Sequence, residues 1–112
     1  MAGKIKVIIK KPSEPYGHMT HISPSLENLQ KHVDGLIQVV NIGDELLTRH
    51  LVAICNEEGR IRGLPMNFYS GGWLHSKWFV GTVIICGQGE EDFTDIPIDF
   101  KTWKALLKTW GN

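Results

Sequence analysis

From Gly3 to Lys10 the chain alternates: Ile5, Val7 and Ile9 fall on one side, and Lys4, Lys6 and Lys10 on the other, with Ile8 as the exception. A period of two predicts a strand. Lysines along one side suit an edge strand, where charge discourages pairing with another molecule. The functional alternative is a small basic patch for phosphate or an acidic partner. Lys11 to Pro15 is a turn by composition. Tyr16 to Ile22 is a candidate second strand returning beside the first.

The period then changes. Leu26, Leu29 and Val33 recur at three and four, the stripe of a short helix. Ser23-Pro24-Ser25 opens it with a serine N-cap, and Asp34-Gly35 stops it. Leu36 to Ile42 is β-rich and apolar on both parities. Gly43-Asp44 is a turn, and Glu45 to Arg49 fits either a strand extension or a helical turn. His50 to Cys55 is the next strand. Asn56-Glu57-Glu58-Gly59 reads as a type I turn with a glycine in the left-handed region, after which Arg60-Ile61-Arg62 heads back. Leu64-Pro65 ends pairing, because proline has no N–H to give the ladder.

Met66 to Ser76 reads as a long loop bearing Tyr69, Gly71-Gly72 and Trp73. Lys77 to Gly87 is the strongest strand signal. It is apolar on both parities, so both faces are expected to be covered, by helices on one side and by loops or a partner subunit on the other. Gly81 marks a bulge or a close backbone approach. Gly87 to Asp92 is a polar loop. Asp99 is the expected N-cap of a last helix whose stripe is Phe100, Trp103, Leu106, Leu107 and Trp110, with Gly111 as its stop. These elements predict one α+β domain over residues 1–112, a mostly antiparallel sheet of four to five strands with two helices.

Composition narrows the function classes. The chain has 112 residues, 42% hydrophobic and 21% charged, which are globular values. Twelve basic and twelve acidic residues cancel, so the global footprint of a duplex nucleic-acid binder is missing. No apolar run reaches membrane-spanning length. Cys55 and Cys86 each end an apolar run, which suits buried, reduced thiols; a disulfide joining neighbouring strands is the alternative. With no leader-like N-terminus, a cytoplasmic location is expected.

Candidate chemistry is sparse. His18 and His21 lie three apart, which in a strand places them on opposite faces and makes them poor metal partners. Glu90-Glu91-Asp92 can hold a hard cation but more simply is a solvated loop. No nucleophile elbow, phosphate loop or zinc-protease motif occurs. Binding has better support. Asn56, Arg60, Asn67, Tyr69 and Trp73, with Trp78 nearby, form a set able to stack a planar ligand and hydrogen-bond its edges. The plainer reading of the same residues is that Asn56 caps a turn, Asn67 bonds backbone and the arginine is surface.

The segments SLENLQKHVDGLIQVV, AICNEEGRIRGLPMN and FVGTVIICG resemble the DUF3846 family of small proteins. The resemblance covers about Lys4 to Gly87. It implies an origin in bacteria, phages or mobile elements, and neither assigned catalytic residues nor a cofactor. The chain departs from the family at Phe68, where a basic residue is common. The expectation drawn here is a non-enzymatic accessory protein that binds a host protein or a small ligand, in its concrete form a counter-defence protein sequestering a nucleotide-like signal. A small hydrolase using a histidine or the acidic loop is one alternative. A self-assembling, homo-oligomeric module is the other, because both sides of the Trp78–Cys86 run are apolar.

Overall fold

The computed structural model describes residues 3–43, 50–71 and 76–112. Its elements, in chain order, are β1 (Ile5–Lys10), β2 (His18–Ile22), α1 (Leu26–Val33), β3 (Ile37–Asn41), β4 (Leu51–Asn56), β5 (Met66–Gly71), β6 (Ser76–Val80), β7 (Val83–Gln88), β8 (Phe93–Thr94) and α2 (Phe100–Thr109). The expected α+β architecture is present. The main sheet runs β2-β1-β7-β4-β3, with short β8 added to β7, and β5 and β6 form a separate two-stranded sheet. All pairings among the described residues are antiparallel. The turn expected at Gly43-Asp44 and the ambiguous Glu45–Arg49 segment lie, from residue 44 on, outside the described residues.

Strand parity sorts the core into two layers. Val7, Ile9, Val52, Ile54, Ile84 and Cys86 point to one face and pack under Leu29 and Val33 of α1. Ile8, Leu51, Ala53, Cys55, Val83 and Ile85 point to the other, under Trp103 and Leu107 of α2 and Phe68 and Phe79 of the β5–β6 hairpin. β4 and β7 are therefore apolar on both parities because both of their faces are covered. The helices were expected on one side of the sheet; they lie on opposite sides. No second copy is needed to cover β7.

Both helices start where the residues predict. Asn28 N donates to Ser25 Oγ at 3.2 Å, and Thr102 N donates to Asp99 Oδ1 at 2.7 Å. Each side-chain oxygen satisfies an amide that the helix itself leaves unpaired. Trp103 is fully buried, and its indole N–H donates to Tyr16 O at 2.9 Å, fastening α2 to the segment before β2. A buried tryptophan is stable when its one polar atom is met in this way.

Four further expectations are corrected. β1 is not an edge; it lies between β2 and β7. Its final lysine, Lys10, shares parity with Ile8 and is buried at 3% exposure. Met66 to Gly71 is a strand rather than a loop: Phe68 and Ser70 point inward and Met66 and Tyr69 outward, with the alternation interrupted by a bulge at Asn67. The run from Lys77 to Gly87 is two strands rather than one. Gly81 adopts φ +72° and turns the chain from the small sheet into the main one. A side chain there would meet strain from the left-handed backbone and Leu64 Cδ1 at 2.8 Å from its Cβ. In the turn after β4, Gly59 N returns to Asn56 O at 3.2 Å, but the left-handed glycine is Gly63 (φ +69°), not Gly59.

Gly81→Ala is expected to lower unfolding stability by about 1–3 kcal/mol, since a non-glycine residue is held in the left-handed region. Urea denaturation followed by tryptophan fluorescence measures it. An unchanged midpoint would refute the tight turn.

Candidate functional site

The turn at Gly81 is closed from the opposite strand. Gly81 N donates to Pro65 O at 2.7 Å. Two residues on, Asn67 donates both amide hydrogens, to Lys10 O at 2.8 Å and to Gly81 O at 2.7 Å. Its Oδ1 accepts from Lys10 Nζ at 2.6 Å. One amide thus ties the end of β1, the start of β5 and the β6–β7 break together. Lys10 Nζ also stands 5.7 Å from the Phe68 ring centre, in cation–π range. Burial lowers the Lys10 pKa, and the Glu14 carboxylate opposes that shift. A buried ammonium needs such partners. Alternation with Lys4 and Lys6 predicts Lys10 on the solvent side; its shared parity with Ile8 is the signal that places it inside.

Asn56 forms a second bracket. It is 5% exposed, and its Nδ2 donates to Val33 O and Asp34 O, both at 3.0 Å, at the end of α1. Its Oδ1 accepts from Glu58 N at 2.7 Å. Gly35 is needed beside it, because a Cβ there would stand 2.7 Å from Asn56 Nδ2. Arg62 reinforces the joint by pairing with the Asp34 carboxylate at 3.0 Å. Both asparagine amides are therefore spent on protein atoms, and neither has a donor left for a ligand.

The remaining expected site residues separate from these brackets. Arg60 Nη2 donates to Trp78 O at 3.0 Å. The Tyr69 ring meets the Trp78 ring across the hairpin, with centres 4.7 Å apart and planes at 47°. Trp78 is 50% exposed and Met66 51%, and these side chains share the outward side of the hairpin. Asn112 holds Tyr69 from the chain end, accepting from Tyr69 N at 2.9 Å and donating to Tyr69 O at 2.7 Å. Trp73 lies outside the described residues. The structure thus brings Arg60 and Tyr69 together at Trp78 and places Asn56 and Asn67 elsewhere.

Among the described residues, nucleophiles and metal ligands do not converge. Cys55 and Cys86 are buried free thiols, and burial pushes the Cys86 thiol up to about 12. His18 and His21 sit opposite Ile9 and Lys6, on opposite faces of β2 as expected. Among the described residues no group of three or more His, Cys, Asp or Glu side chains is placed to hold a metal ion. Glu91 and Asp92 instead rim a largely apolar groove of about 470 Å³, floored by Leu26, Leu29 and Phe93. No helix among the described residues is long and apolar enough to cross a membrane.

The segments behind the sequence resemblance meet in space. Leu64-Pro65-Met66-Asn67 closes on Val80-Gly81-Thr82, Gly59 lies against Val80 and Leu64, and Asn56 seals the end of α1. The model of a domain of unknown function, DUF3846, matches residues 5–108. The chain belongs to the DUF3846 family. No curated protein matches it, and no solved structure does. The match runs from the first residue of β1 to residue 108 in α2, so the DUF3846 unit here includes the whole main sheet, α1 and nearly all of α2.

Asn67→Ala in this DUF3846 protein is expected to cost about 2–5 kcal/mol, because it strands a buried ammonium and two carbonyls. Arg60→Ala, at an exposed single bond, is expected to cost under about 1.5 kcal/mol. Equal losses in denaturant titrations would refute the bracket. A pH dependence follows from Cys86. Its folded pKa lies above the unfolded value of 9.0, so the folded state keeps a proton that the unfolded chain releases. Stability from this group is complete below pH 9 and falls as pH rises toward 12, by up to about 1.4 kcal/mol per pH unit. Cys86→Ala should flatten that slope in thermal melts, and an unchanged slope would contradict the assignment.

Proposed function

We propose that this protein is a small, non-enzymatic binding protein encoded by a phage or mobile element. It holds a planar, nucleotide-like ligand against the outward side of the β5–β6 hairpin, and sequesters that ligand as a counter-defence device. The observation that carries the reading is the Tyr69–Trp78 pair: two aromatic rings in contact, one half exposed, on a hairpin whose opposite side is fixed in the core. Exposed aromatic faces stack planar bases with little dependence on sequence, each contributing about 1–3 kcal/mol. Arg60 lies beside them with its guanidinium on the Trp78 carbonyl. Its remaining N–H groups suit phosphate or carbonyl oxygens. The scaffold supports the reading too. Phe68 and Phe79 stack at 4.8 Å beneath the outward pair, and Phe68 meets Trp103 edge-on at 5.5 Å. An aromatic platform anchored this way loses little side-chain freedom when a ligand lands.

The site retains Arg60, Tyr69 and the nearby Trp78 from the sequence expectation and gains Met66. Asn56 and Asn67 serve it only by holding the hairpin in place. A host protein that buries the same rings is the competing occupant, and it would leave small ligands unbound.

Calorimetry against a panel of cyclic and linear nucleotides tests the reading. At least one is expected to bind with quenching of tryptophan fluorescence. Trp78→Ala and Tyr69→Ala are expected to weaken that binding by about ten-fold or more, at the stacking energies given above. An intact fold with no binding to any member of the panel would overturn it.

A further inference from the structure

Sheet edges carry backbone groups with no strand beside them, and proteins usually block them. In the small sheet both edges are met by side chains. Asn112 takes both backbone groups of Tyr69 on β5, and Arg60 takes the carbonyl of Trp78 on β6. The outer edge of the main sheet at β3 is different. Glu57 N donates to Leu36 O at 2.8 Å, and Ile42 N donates to Leu51 O at 3.1 Å. These bonds bracket the β3–β4 ladder, so its even-numbered β3 residues turn their backbone groups toward β4. Antiparallel pairs alternate, so Ile37, Val39 and Asn41 turn theirs outward.

Among the described residues, none of the usual blocking devices is present there. From Leu36 to Gly43 the chain has no charged residue and no proline. β3 pairs with β4 in unbroken register, without a bulge. Leu36 is 53% exposed and Val39 37% exposed. Lys77, a charge close to this edge, is turned inward, with Nζ on Gln38 Oε1 at 3.1 Å and 5.7 Å from the Phe79 ring centre. The opposite edge, β2, differs: it carries His18 and His21, Glu14 lies 3.2 Å from His18, and Ile22 is buried.

We propose that β3 is a dimerisation edge, at which two copies of this chain pair β3 with β3 antiparallel about a two-fold axis at Val39. The outward residues are self-complementary under that operation. Val39 faces its own copy, Ile37 faces Asn41, and Leu36 faces Ile42, so no like charges oppose one another. The chain's zero net charge removes long-range repulsion between copies. Pairing joins two main sheets into one continuous sheet and covers Leu36 and Val39. A five-residue edge is a small interface, so association in the micromolar range is expected. β7 takes no part in this pairing, since the chain covers both of its faces itself.

Sedimentation velocity on the full chain, from about 1 μM to about 500 μM, spans the range in which so small an interface is populated. A concentration-dependent shift from monomer to dimer mass is expected. Val39→Lys places two ammonium groups on the axis and should raise the dimer Kd by at least about ten-fold, while Thr20→Lys on β2 should leave it unchanged. Hydrogen exchange on the unaltered protein gives an independent reading. The amides of Ile37, Val39 and Asn41 should become protected at high concentration, and those of β2 should not. A monomer at every concentration would overturn the proposal, as would dimer loss with Thr20→Lys but not Val39→Lys, or protection confined to β2.

Discussion

The fold depends on one side-chain amide. Asn67 bonds the backbone of β1 at Lys10 and the backbone of the β6–β7 turn at Gly81, and accepts the buried Lys10 ammonium. Without that joint, a chain leaving the small sheet at Val80 would have no fixed direction in which to enter the main one. The glycine makes the turn sterically possible, and the asparagine makes it unique. Each alone is weak. Together they convert a long apolar run into two strands lying in different layers, and the hairpin's aromatic pair is aimed as a result.

The hairpin completes a three-layer arrangement. α1 covers one face of the main sheet. α2 and the inner side of β5–β6 share the other. α2 is held near β2 through the bond from Trp103 to Tyr16, and β6 is held near β3 through the bond from Lys77 to Gln38. The two covers therefore divide the sheet between them, which leaves Tyr69 and Trp78 free to face outward. Polar residues that look like site chemistry in one dimension are mostly joinery in three. Asn56, Asn67 and Arg62 all satisfy backbone carbonyls that would otherwise end a helix or a turn without partners.

Legibility in the sequence followed the range of the forces involved. Ser25, Asp99 and the stripes of α1 and α2 act within a few residues, and these elements form where they were expected. Alternation placed β1, and short β-rich apolar runs placed β3 and β4, because both are local signals. The failures were non-local. Lys10 looked solvent-facing because its partner, Asn67, is 57 residues away. Met66 to Gly71 looked like a loop because its glycine, serine and polar residues hide an alternation that only Phe79 and Trp103 complete. Gly81 looked like a bulge within one strand because the second layer is invisible until Leu64 arrives against it. The candidate site was half legible for the same reason. Residue types able to bind a ligand were easy to see, but which of them were already occupied was decided by distant backbone groups.

The position of β7 also bears on how the molecule is made. It is the central strand, flanked by β1 and β4, yet it begins at Val83. While the chain is being synthesised, β1–β2 and β3–β4 can form as separate hairpins, linked by α1 and each showing an apolar flank. Neither can join the other until most of the polypeptide has emerged. Contacts as distant as Ile8 to Ile85 place this topology among those whose assembly is slow relative to their size. Nascent chains would thus spend their early life as two half-sheets, and the protein's exposure to misassembly or to chaperone capture is set by the arrival time of one six-residue strand.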